Sequence, residues 1–108
     1  MAGQRPLAVG YLRHYRSMTC HQLTRAENQL AAFAEREGVH LCKVFVEQFR
    51  TDPAAFDALI RSVRRRRIAV VIVPSEAHLS AVGGGRTKLE RLHHETSARA
   101  LAADGSIA

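Results

Sequence analysis

The segment Ile68-Ala-Val-Val-Ile-Val-Pro74 constrains the fold more than any other stretch of the chain. It is apolar without interruption and shows no alternation of polar and apolar positions. A strand of that kind has no face for water. It needs cover on both sides, which in a parallel sheet comes from the crossover helices. It is also far shorter than the roughly 20 residues that cross a bilayer, so it belongs in a soluble core rather than a membrane.

The preceding residues supply the partners of such a strand. Leu7–Arg13 is apolar and lies between Pro6 and the polar run Arg13–Thr19, which predicts a first buried strand. Thr24 followed by Glu27 has the capping-box spacing of a helix start. Leu23, Ala26, Leu30, Phe33 and Ala34 then recur on one helical face, and Gly38 stands where a helix-ending glycine belongs. Val39–Glu47, with Leu41, Val44 and Val46, reads as a second strand. Asp52 is the expected cap of a second helix, with Pro53 in its first turn. Phe56, Leu59, Ile60 and Val63 form its apolar stripe, and Arg64–Arg67 close it, since cations suit a helix C-terminus. Beyond the central strand come Ser75–Ser80, a glycine triplet Gly83–Gly85 read as a hinge, and a polar helix from about Arg86 to Ala103 ended by Gly105.

The order β-α-β-α-β-α predicts a three-layer α/β domain with a mainly parallel sheet of about three strands. The expected organisation is a leader at 1–6, an α/β core at 7–82, and a hinge with a C-terminal helix and tail at 83–108. A chain of 108 residues holds one small domain. Its 46% apolar and 24% charged residues exclude a disordered, collagen-like or disulfide-dense chain. The N-terminus has no apolar signal region, so Cys20 and Cys42 are read as reduced thiols of a cytoplasmic protein. Two such cysteines are too few for a zinc site.

Sixteen Lys and Arg against ten Asp and Glu give a net charge of +6, which attracts polyanions such as DNA. Fourteen of the sixteen are Arg, a bias that a GC-rich genome also produces. In parallel sheets ligands bind beyond the carboxyl ends of the strands. Three segments meet there: Arg13–Thr19, Gln48–Asp52 and Ser75–Ser80. Arg13 and Arg16 with the hydroxyls of Tyr15, Ser17 and Thr19 have the chemistry of a phosphate site; the plainer reading is a polar loop. Arg64, Arg65, Arg66 and Arg67 are further candidates for phosphate or DNA contact, but an antiparallel helix carries them to the opposite edge. There they serve equally as a solvated helix end. His93 and His94 are adjacent and point to different faces, and Glu90–His94 reads as an exposed pair, so no metal is expected. The chain has no GxGxxG, P-loop or CxxC motif, and no cofactor is expected.

The series Val9-Gly10-Tyr11-Leu12-Arg13, Asn28–Ala34 with Arg36-Glu37-Gly38, Val44-Phe45-Val46-Glu47, Phe56–Ile60, Val70–Ser75 and Leu79-Ser80 resembles the N-terminal catalytic domain of serine recombinases, the resolvase/invertase family. The resemblance spans most of residues 7–80. It implies a flavodoxin-like sheet with the first strand central. It also implies an activity of DNA strand cleavage and rejoining through a serine nucleophile and an arginine clamp. This chain departs from that pattern where the chemistry lies. Against the family's Tyr-x-Arg-Val-Ser it has Tyr11-Leu12-Arg13-His14-Tyr15, with Tyr15 at the nucleophile position. Against Asp-Arg-Leu-(Ser/Gly)-Arg it has Ala77-His78-Leu79-Ser80-Ala81. Only Arg13 of these polar positions remains, and Tyr15 and Ser17 are the substitute nucleophiles.

The expectation is a catalytically inactive, truncated resolvase-like domain that binds DNA or protein, regulates, or survives from a mobile element. An active strand-exchange enzyme working with a partner, a non-specific nucleic-acid binder and an unrelated flavodoxin-like regulatory domain are the alternatives. With the chain ending near where the family's next strand begins, Ile68–Val73 becomes an unpaired apolar edge. Self-association or a protein partner covering it is therefore expected.

Overall fold

Eight residues, Leu7–His14, form the first strand, β1, with Ala8–Leu12 buried. The computed structural model describes residues 5–80 and 85–107. The chain continues through α1 (Cys20–Glu37), β2 (His40–Gln48), a 3-10 turn at Phe49–Thr51, α2 (Ala54–Arg66), β3 (Val70–Val73), a second 3-10 turn at Glu76–Leu79, α3 (Lys88–Glu95) and β4 (Arg99–Ala102). The sheet order is β2-β1-β3-β4 and every pairing is parallel. This is the expected three-layer α/β architecture, with one strand more than the sequence suggests.

The layers follow from the two-residue period of the strands. Ala8 and Leu12 of β1 and Val70 and Ile72 of β3 pack with Leu30 and Ala34 of α1. Val9, Tyr11, Val71 and Val73 face the other way, against Phe56, Leu59, Ile60 and Val63 of α2 and Leu92 of α3. Gly10 leaves room for this packing. A Cβ there would meet Leu30 Cδ1 at 3.0 Å and Val44 Cγ2 at 3.2 Å, so α1 lies on bare backbone.

Four expectations are corrected. The N-cap of α1 is Thr19, not Thr24: its hydroxyl accepts the Gln22 N–H, and the Gln22 side chain accepts the Thr19 N–H. Thr24 lies inside the helix, because the Thr19–Gln22 capping box starts α1 at Cys20, one exposed turn ahead of the apolar stripe that begins at Leu23. Asp52 does not cap α2. Pro53 holds the N-cap position, and the Asp52 carboxylate turns inward to two cations. The helix expected over 86–103 ends at Glu95. Thr96 closes it, with its N–H and hydroxyl both on the Leu92 carbonyl, and Arg99–Ala102 forms β4.

The fourth correction follows from β4. It pairs with β3 through Val70↔Arg99 to Val73↔Ala102, so the apolar edge is covered by this chain itself. The expectation of a partner on Ile68–Val73 loses its ground. Elsewhere Gly38 ends α1 in the left-handed conformation, as its position implies. Residues 1–4 of the expected leader, Ala81, and Gly83 and Gly84 of the expected hinge lie outside the described residues.

Candidate functional site

β1 sits between β2 and β3, and its C-terminal end carries the site. The connection from β1 leads through α1 on one face, while that from β3 leads through α3 on the other. The reversal falls between β1 and β3, where open α/β sheets bind ligands. In this chain its own side chains occupy that crevice. The backbone N–H of Arg13 donates to Nδ1 of His78 at 3.0 Å, and Arg13 Nη1 donates to Ser80 Oγ at 2.8 Å. His78 is buried and its ring meets Tyr15 edge-on, with centroids 5.4 Å apart. Burial first, and then the charge of Arg13, lowers the His78 pKa from 6.5 to about 4. The imidazole is therefore neutral at pH 7, as its acceptor role to a backbone N–H requires.

A buried ion network lies beneath. Asp52 Oδ2 is 3.2 Å from Arg13 Nε, and Asp52 Oδ1 is 2.9 Å from Lys88 Nζ. Lys88 is 2% exposed, although it opens a helix, where the backbone dipole disfavours a cation. Asp52 offsets that, and so do the Ser80 carbonyl at 3.3 Å and the Tyr11 ring, whose centroid is 6.0 Å away. Glu47, 1% exposed, accepts the Tyr11 hydroxyl at 2.6 Å and the N–H groups of Ala55 and Phe56 at 2.8 and 2.9 Å. It thereby caps α2 from the neighbouring strand, the task the sequence assigns to Asp52. Burial and the Glu47 carboxylate push the Tyr11 phenol far above its ordinary pKa, so it stays a neutral donor. Two cations and two carboxylates balance in this cluster.

The open part of the site is a cleft of about 370 Å³ on the β1–β2 side. Arg13, Tyr15, Arg16 and Ser17 line it, with Phe49 and Asp52 opposite. The four β1-side candidates are thus brought together. Tyr15, Arg16 and Ser17 are exposed, whereas Arg13 is only partly so. The Arg13 guanidinium lies 5.3 Å from the Tyr15 ring centroid, and that of Arg16 lies 4.7 Å from Phe49, which is 60% exposed. Arg64–Arg67 are not part of this cluster. They end α2 at the N-terminal edge of the sheet, as the antiparallel course of that helix requires.

Sequence reasoning missed Asp52 as an ion-pair centre and Lys88 as its partner, Glu47 as the cap of α2, and the role of His78 as acceptor of the Arg13 N–H. The signal for Glu47 is present: it follows Phe45 by two residues and so points to the same face, toward α2. Lys88 has no such signal, because its burial depends on a contact with Asp52, distant in the chain. Glu90 does not pair with His94; it completes a capping box with Thr87. Among the described residues, no three His, Cys, Asp or Glu side chains converge as metal ligands. Among the same residues, no helix is long and apolar enough to cross a membrane.

No family model matches the chain, and no curated protein does. Among solved structures the fold is similar to the C-terminal catalytic domain of ISC1926 TnpA, an IS607-like serine recombinase. That similarity has a TM-score of 0.73 at 20% identity and covers 94% of this chain and 70% of the other. The chain has the fold of a serine recombinase catalytic domain.

Proposed function

We propose that this chain is a serine-recombinase-like module that binds without cutting DNA. One observation carries the reading: Arg13, the cation kept from the family's motif, is engaged by Asp52 and Ser80. Phosphoryl transfer depends on cations aimed at the phosphoryl oxygens and on a positioned nucleophile. Here the carboxylate of Asp52 stands on Arg13, and a dianionic transition state would have to displace it. His78 is neutral and hydrogen-bonded to the backbone, so it contributes no charge at pH 7. Each missing electrostatic donor costs about 10²–10³ in rate, and the site lacks at least two relative to the family pattern. Tyr15 and Ser17 offer hydroxyls at an exposed rim rather than inside a water-excluding clamp.

Supercoiled plasmid incubated with the protein and quenched with denaturant tests this. No nicks and no covalent protein–DNA adduct are expected. An adduct that disappears in Tyr15→Phe or Ser17→Ala would overturn the proposal.

A further inference from the structure

The surplus positive charge of this chain is concentrated in one heptapeptide. Residues 61–67 hold five arginines and no acid, while the remaining residues carry eleven cations against ten acids. That heptapeptide ends α2 at the sheet edge opposite Arg13 and Tyr15. Arg64 and Arg67 are three residues apart and share a side of the helix end. Both line a groove of about 690 Å³ between α2 and the turn that joins α3 to β4. His94 and Ser97 line its far wall, and Glu95 is the single acid among its lining residues. Glu95 is itself engaged by Arg91 at 2.9 Å. Among the described residues, none of Arg61 and Arg64–Arg67 makes an ion pair, whereas Arg5, Arg13 and Arg91 all do.

A second observation comes from the backbone. Arg67 ends α2 with φ 54° and ψ 49°, a left-handed conformation that glycine adopts without penalty and a long side chain does not. α1 ends in the same conformation with Gly38. The chain therefore holds an arginine where turn geometry alone favours glycine, at a residue that lines the groove.

We propose that this groove is a docking site for the phosphodiester backbone of duplex DNA, on the edge opposite the recombinase-like site. The chemistry of the lining selects the ligand. Guanidinium groups match phosphate oxygens by forked hydrogen bonds. The apolar lining is Val63, Ile68 and Ala69; it holds no Phe, Tyr or Trp on which an unpaired base could stack, and the His94 imidazole is its one aromatic ring. The contact is therefore to backbone, independent of sequence, and favours the closely spaced phosphates of a duplex. This deepens the reading of the chain as a binding module by naming its partner. It stands apart from the loss of cleavage, which is read by adduct formation.

The test is fluorescence anisotropy with a labelled random-sequence duplex of about 20 base pairs, titrated from about 50 mM to about 200 mM salt. The wild-type chain is expected to bind with a steep salt dependence. Arg64→Gln/Arg67→Gly removes both groove cations and gives the helix end the residue its backbone favours, so folding is preserved. It should bind more weakly, with the slope of log K against log salt reduced by about 2. Arg25→Gln/Arg36→Gln removes equal charge from α1 and should leave that slope near the wild-type value. Three results would each overturn the site: no wild-type binding at the lowest salt, an equal loss in both double variants, or tighter binding to the single strand than to the duplex.

Discussion

His78 illustrates how a titratable side chain can serve structure as a neutral hydrogen-bond acceptor. Its Nδ1 must stay unprotonated to accept the Arg13 N–H, and burial keeps it so. The folded pKa, about 4, lies below the ordinary 6.5, so the unfolded chain takes up the proton first as pH falls. Stability from this site is full above about pH 6.5 and is lost as pH drops toward about 4, by about 3 kcal/mol in total. Urea titrations across that range should show the decline. His78→Asn, which keeps an acceptor but cannot titrate, should flatten it. Greater stability of the wild type at the acid end would contradict the assignment.

Among the elements, helix starts are where short-range pattern and structure part. Thr19 and Thr24 are both plausible caps by composition, yet only the Thr19 hydroxyl meets a free N–H. Thr19→Ala should destabilise the fold by about 1 kcal/mol, whereas Thr24→Ala, at an exposed interior position, should be neutral or slightly stabilising. Thermal denaturation of the two variants distinguishes them. α2 takes its cap from another strand, because Glu47 reaches two of its N–H groups while Asp52 is held by Arg13 and Lys88. β4 is the extreme case. Arg99-Ala-Leu-Ala102 has helix-favouring composition, and pairing with Val70–Val73 overrides it. Ala98, Ala100 and Ala102 are buried on the α2–α3 side, where small side chains allow close packing.

At the scale of the molecule, β4 decides what surface is exposed. Without it β3, buried at all four positions, would be a bare apolar edge. A chain shortened to end at Thr96 should therefore self-associate at micromolar concentration in light scattering, and the intact chain should not do so through this edge. If the shortened chain stays monomeric, β4 is not the cover the pairing implies. The two ends of the sheet also differ in character. One carries a balanced, internally paired ion cluster; the other carries unpaired arginines around a groove. Fold likeness to a recombinase does not specify which end meets a partner, since function resides in sites rather than scaffolds.

The sequence by itself determined the layers. An apolar run without alternation, two amphipathic helices and a glycine stop are local patterns, and each fixes an element through its own periodicity. Only the tertiary structure decided the fate of Arg13, the burial of Lys88 and the strand at Arg99–Ala102. Each of these depends on groups far apart in the chain, Asp52 with Arg13 and Lys88, and β3 with β4. Their energies come from desolvation and pairing at a distance, which no window of neighbouring residues contains.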